Sequence, residues 1–141
     1  MRIYLASGFR HRFVLRRLAV YFQKCGHTVV SSWIWLENRP NRDHSQYNQF
    51  ACDIAQLNFD ELRRADAVII DMRGVGEGNH GGTHTELGLA LAWGKRIFLI
   101  GEMGNTFHWL PQVELFGEGE DHEELFGYLF QQAEGNSLIL G

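Results

Sequence analysis

Along the chain, short apolar runs alternate with segments whose apolar residues recur every three to four positions. That is the pattern of strands alternating with amphipathic helices. Arg2–Ala6 reads as a buried strand ending at Ser7-Gly8. His11–Cys25 follows as a helix, with Val14, Leu15, Leu18 and Phe22 on one side and Gly26 as its stop. His27–Trp33 is β-branched and strand-like, and Glu37–Asp43 is a polar loop around Pro40. Ser45–Arg64 is a long helix with Phe50, Ile54, Leu57 and Leu62 spaced along its apolar side. Ala67–Asp71 is an apolar run closed by an acid, as in a strand buried on both faces. A glycine-rich loop leads into a helix from about Thr83 to Trp93, closed by Gly94. Arg96–Ile100 is a fourth strand and Gln112–Phe116 a fifth. Glu120–Ala133 is a final helix, with Leu125, Phe126, Leu129, Phe130 and Ala133 as its stripe.

This alternation predicts an α/β fold. It is a three-layer, flavodoxin-like or Rossmann-like arrangement: a five-stranded parallel sheet, order 2-1-3-4-5, with helices on both faces. Ligands of such sheets bind beyond the carboxyl ends of the strands. Chemistry is therefore expected in Ser7–Arg12, Trp33–Leu36, Asp71–Gly82 and Gly101–His108. No repeat or linker interrupts the 141 residues, so residues 1–141 read as one domain.

Composition narrows the partners. Thirteen Lys+Arg against seventeen Asp+Glu leave a net charge of −4, which argues against nucleic acid as a ligand. The apolar runs are strand-sized, so neither a transmembrane span nor a membrane partner is expected, and the short N-terminal run is no signal-peptide core. Cys25 and Cys52 show no pairing pattern and read as buried thiols, in keeping with a reducing cytoplasm.

The loop after the third strand carries the most information. Gly76, Gly78 and Gly81 match G-x-G-x-x-G by count. The match follows the third strand, however, and no ribose-binding acid ends the next one, so a dinucleotide site is rejected. No Walker A motif is present, and no cofactor is expected. Thr83-x-x-Glu86 has the form of a capping box. Glu86 equally fits a functional carboxylate in the first turn of a helix. There it would face a crevice floored by Gly81 and Gly82, be favoured by the helix N-terminus, and be able to attack an electrophilic carbon. His80 and His84 stand four apart, but His80 lies in loop and no third ligand is evident, so no metal site is expected.

The segments IYLASGF, SSW, RADAVIID, GGTHTELGLALAWGK, IFLIG and GNTFHWLPQV together resemble the nucleoside 2-deoxyribosyltransferase superfamily, from about residue 2 to residue 116. That superfamily includes the deoxynucleoside 5′-monophosphate N-glycosidases. The segment containing Gly82, Glu86 and Gly88 is the most specific part of the match. The resemblance implies that Glu86 attacks the anomeric carbon of a 2-deoxyribosyl group. The base leaves, a glycosyl-glutamate ester forms, and a second base or water takes the sugar, as in a retaining glycosidase. It implies a nucleoside or nucleotide substrate, with Ser7, Gly8 and Phe9 against sugar or base. It places His80 where relatives read the base or hold a phosphate. It also implies that Asn105 and Phe107 reach into a neighbouring subunit's site, so that the protein is a homodimer or higher homo-oligomer with shared active sites.

One position departs from that pattern. The family's usual aspartate on the second helix corresponds to Asn58, which can bond a sugar hydroxyl or hold Glu86 but cannot donate a proton as a carboxylic acid does. Asp71, at the end of the third strand, is then the next candidate acid, or alternatively a strand-end residue that caps the loop. Trp33 reads either as a base-stacking residue or as core. Arg10 and Arg12 read either as phosphate-attracting or as a solvated helix start. Three activities remain open: a transferase moving deoxyribose between bases, a 5′-monophosphate N-glycosidase, and a nucleotide-binding domain without turnover. For the second, His80, Thr83 and the Gly81 and Gly82 N–H groups would cradle the phosphate.

Overall fold

A computed structural model of the chain describes residues 1–74, residues 81–116 and Gly127. Five strands, β1 (Arg2–Ala6), β2 (Thr28–Val29), β3 (Ala67–Asp71), β4 (Arg96–Ile100) and β5 (Val113–Phe116), form one parallel sheet in the order β2-β1-β3-β4-β5. Three helices cover it: α1 (Arg12–Lys24), α2 (Tyr47–Arg64) and α3 (Gly81–Ala92). The chain leaves β1 in one direction to reach β2, then crosses back over β1 to reach β3. Right-handed crossovers in opposite directions put α1 on one face of the sheet and α2 and α3 on the other. The predicted three-layer α/β fold and strand order are those observed. The predicted final helix lies outside the described residues except for Gly127, which is helical and buried so tightly against the Tyr21 ring of α1 that a Cβ would collide with it.

The three central strands are aliphatic because both faces are covered. Ile3, Leu5, Val68, Ile69, Leu99 and Ile100 are essentially inaccessible. The register runs Ile3 to Ala67 and Ala67 to Arg96, which brings the carboxyl ends of β1, β3 and β4 level with one another. Gly26 ends α1 in a left-handed conformation at φ 91°, while His27 N–H turns back to Phe22 O at 3.1 Å.

The predicted strand His27–Trp33 is only two residues long. After Val30 N–H bonds Ile3 O at 2.8 Å, side chains replace the ladder. Leu5 N–H donates to Ser31 Oγ at 3.0 Å, and the Trp33 indole N–H donates to Leu5 O at 2.9 Å. The chain then turns into a short 3-10 segment, Ser32–Trp35, whose Ser32 N–H and hydroxyl are held by the Glu61 carboxylate. The sequence pattern misses this because side chains satisfy backbone groups that a ladder ordinarily satisfies. A second difference concerns the cysteines: Cys25, just past the end of α1, is partly exposed, and Cys52, off the apolar stripe of α2, is exposed, both as free thiols.

Candidate active site

The longest helix does not pack as its apolar stripe predicts. Only Glu61 and Leu62, near the C-terminal end of α2, are buried. Toward its N-terminus the helix stands away from the sheet, and its apolar side lines a cleft of about 850 Å³ instead of a core. That volume lies in the upper part of the range usual for small-molecule sites. Tyr47, Phe50, Ile54, Phe59 and Leu89 form an apolar wall. Ser7 beyond β1, Asn58 on α2, and Thr83, Thr85 and Glu86 on α3 supply the polar lining of the cleft.

Glu86 is the only acid lining this cleft among the described residues. Helix α3 begins at Gly81, not Thr83, so Thr83 is a buried residue within the helix and the capping box does not form. Thr85 closes the first turn instead, its hydroxyl donating to Gly81 O at 2.8 Å. Glu86 thereby falls in the second turn, where the helix dipole has weakened. Its Oε2 is buried without a hydrogen-bond partner, as is the hydroxyl of Tyr4, which faces it from β1 outside full hydrogen-bond geometry. Burial pushes the Glu86 carboxyl up to about 8, against a smaller downward pull from the Tyr4 hydroxyl. Where the sequence suggests a helix-stabilised, ionised carboxylate, the buried Glu86 carboxyl is held toward its protonated form, because desolvation outweighs the dipole.

Asp71 has the opposite environment. Its side chain is fully buried, and the Arg73 guanidinium bonds both its oxygens, at 2.9 and 2.7 Å. The Arg73 N–H adds a bond to Oδ1 at 3.0 Å, and His11 Nε2 lies 3.0 Å from Oδ2. Burial alone would raise this carboxyl, but the hydrogen bonds and charges of Arg73 and His11 bring it down to about 2. A carboxylate held ionised in this way has no proton to give near neutral pH. It does not line the cleft, and it touches the site through its own carbonyl, which accepts from Ser7 Oγ at 2.7 Å. The structure therefore corrects the reading of Asp71 as the acid: it anchors the loop after β3 and the Ser7 hydroxyl. Asp71→Asn is expected to destabilise the fold by about 3 kcal/mol in urea titrations, because it strands the Arg73 guanidinium beside a neutral amide.

Among the residues singled out from sequence, Ser7, Gly8, Phe9, Trp33, Asn58, Gly82 and Glu86 come together around the cleft. Trp33 is 7% exposed and its indole N–H is committed to Leu5 O, so it is a core residue whose edge reaches the cleft. The Asn58 Oδ1 is buried and unpartnered in the polar lining. Asn105 and Phe107 do not line the cleft. Asn105 caps the 3-10 turn Thr106–Trp109 by accepting from Phe107 N–H at 2.8 Å, and Phe107 is exposed. His80 lies outside the described residues. Tyr4 was not singled out, although a phenol inside an otherwise aliphatic strand was the available signal. The cleft-lining face of α2 was missed because periodicity marks a face as apolar without saying what covers it. Among the described residues no three His, Cys, Asp or Glu side chains gather as a metal site, and no helix is long and apolar enough to cross a membrane.

The described residues form a parallel α/β sheet with the Glu86 carboxyl buried in a cleft beyond the carboxyl ends of its strands. The chain belongs to the nucleoside 2-deoxyribosyltransferase family, whose model matches residues 3–129. Among solved structures it is similar to a CMP N-glycosidase of Clostridium botulinum, with 20% identity, 93% of this chain and 99% of that chain covered, and a TM-score of 0.57. It is also similar to a 2-deoxyribosyltransferase of Bacillus psychrosaccharolyticus, with 23% identity, 76% and 79% covered, and a TM-score of 0.54. At these identities the two likenesses bear on the fold alone. No curated protein matches the sequence.

Proposed function

We propose that the protein cleaves the N-glycosidic bond of a nucleoside or nucleotide, with Glu86 as nucleophile. The observation that carries this reading is the Glu86 carboxyl itself, enclosed in the polar lining of the cleft with Oε2 unpartnered. A poorly solvated carboxylate is a strong nucleophile once ionised, and a negative charge there also stabilises an oxocarbenium-like transition state. In the first step an Oε–C1′ bond forms as the C1′–N bond breaks, and the base leaves with the bonding electron pair and takes a proton from water. In the second step water attacks C1′, Glu86 regains its carboxylate, and the proton passes to solvent. The free sugar is released. Asn58 positions sugar or carboxylate, and Ser7, Gly8, Phe9 and Gly82 shape the sugar pocket.

We favour hydrolysis over transfer to a second base because the α2 wall of the cleft is open to water among the described residues. Ala55 and Phe59 on its α2 wall are exposed, and transfer requires water to be kept from the ester. Transfer remains the second reading, supported by the family. The test is to incubate the protein with deoxynucleosides and their monophosphates, with and without an acceptor base, and to resolve the products by chromatography. Free base without acceptor supports hydrolysis. Base exchange alone supports transfer, and binding without product would leave a non-catalytic nucleotide-binding domain.

The missing acid gives a further prediction. Asn58→Asp restores a proton donor of nearly the same shape and is expected to raise kcat by about tenfold or more, with a new fall in rate at high pH. Unchanged pre-steady-state base release would remove position 58 from leaving-group departure. The reading also includes a homo-oligomer: Phe107, Trp109 and Leu115 are 58%, 63% and 50% exposed near β5, an apolar group suited to a second copy. Light scattering is expected to give at least a dimer.

A further inference from the structure

Helix α2 is fastened near its C-terminal end. Of its 18 residues only Glu61 and Leu62 are buried, while Tyr47, Phe50 and Ile54 line the cleft. A carboxylate is a costly group to bury, yet Glu61 is only 7% exposed. Its two oxygens share the Ser32 N–H at 3.2 Å each, and Oε1 also accepts from the Ser32 hydroxyl at 2.9 Å. Burial raises the carboxyl, against the pull of these Ser32 bonds and of the Arg64 charge. Charge-assisted bonds fix a direction and a distance, which an apolar side chain packed at the same place would not.

Ser32 is itself tied to β1. Ser31, before it, accepts from Leu5 N–H at 3.0 Å, and Trp33, after it, donates to Leu5 O at 2.9 Å. The Glu61–Ser32 clamp therefore refers α2 to the strand that carries Tyr4. Burial raises the Tyr4 hydroxyl, and the charges of Glu86 and Glu61 raise it further, so both carboxyls act on one phenol. Glu61 does not line the cleft. Asn58 does, three residues earlier and so on the same side of the helix, and its Oδ1 is buried without a partner. With no hydrogen bond to hold that oxygen, its place depends on where α2 stands.

We propose that Glu61 is a positioning residue: through Ser32 it sets α2 against β1, and with it the Asn58 amide in the cleft. Its effect on rate rests on the glycosidic reading. Its hold on Asn58 does not.

Glu61→Gln tests the clamp because the amide turns one acceptor into a donor facing the Ser32 N–H. Ser32→Ala weakens the same clamp from the other side, removing only the hydroxyl bond. The first readout is the side-chain NH2 pair of Asn58 in NMR spectra of nitrogen-labelled protein, identified by its loss in Asn58→Asp. These signals are expected to shift in both variants, and further in Glu61→Gln, while the backbone amides of β3 and β4 keep their positions and show the sheet intact. The second readout is a double-mutant cycle on kcat/KM for base release. Glu61→Gln and Asn58→Ala are each expected to lower it about tenfold, and the double variant no further than Asn58→Ala alone. A Glu61 that only supports the fold would give independent losses, about 100-fold together. Asn58 signals unmoved in both variants, or losses that multiply, overturn the proposal. If the unmodified protein releases no base from any deoxynucleoside or monophosphate, the glycosidic reading falls, and the Asn58 signals alone decide whether Glu61 positions that residue.

Discussion

Replacing Glu86 by glutamine is expected to lower base release by about 10⁴-fold or more while leaving the fold in place. That factor corresponds to about 5 kcal/mol of transition-state stabilisation, a reasonable loss when the proposed nucleophile is removed. The amide keeps the shape of the carboxyl but cannot form the ester. The fold is spared because Glu86 caps no helix end and makes no ion pair among the described residues; its partner in space is the Tyr4 hydroxyl. Since burial already holds the carboxyl toward its neutral form, a neutral isostere should shift the unfolding free energy by less than about 0.5 kcal/mol. The measurements are single-turnover base release and urea denaturation. A variant that unfolds yet retains activity per folded molecule would restore Glu86 to a purely structural role.

The second large effect is on pH dependence. In the proposed mechanism only the ionised form attacks, and burial pushes the Glu86 carboxyl up to about 8. kcat/KM, which reports the free enzyme, should therefore rise roughly tenfold per pH unit and level off above about pH 8. At pH 6 it should lie about 100-fold below the plateau. Stability should move the other way. With its folded value above its unfolded one, Glu86 binds more protons in the native state than in the unfolded chain between about pH 4.5 and 8, so its contribution falls as pH rises through that window. Asp71 acts at the other end. Its folded value of about 2 lies below the ordinary 3.8, so its ion pairs stabilise above about pH 4, and that support is lost as pH falls toward 2. A rate profile flat from pH 5 to 9 would show that the ionisation of Glu86 does not control the reaction.

These environments explain how much could be read from the chain. The strand order and the location of the site follow from periodicity, because Ala67–Asp71 and Arg96–Ile100 are buried on both faces and carry unbroken apolar runs. Glu86 was legible because its glycine-rich frame is specific. The end of β2 was not, because Ser31 and Trp33 satisfy Leu5 with side chains. The role of Asp71 was hidden as well. Its neighbour Arg73 is two residues away, but His11 is sixty residues distant and is brought to it only by the β1–β3 pairing. The state of Glu86 depends on how far it is enclosed by Tyr4 and the cleft walls, a property of packing rather than of spacing. The stripe on α2 reads equally as core or as cleft wall, and only the stand-off of that helix decides between them.

The central claim is a covalent bond between Glu86 and the sugar. The direct measurement is peptide mass spectrometry of protein quenched in acid during turnover of a deoxynucleoside or its monophosphate. The account predicts an added glycosyl group on the peptide containing Glu86, absent from the Glu86→Gln protein. Turnover with no adduct on that peptide, or the same adduct in both proteins, would contradict it.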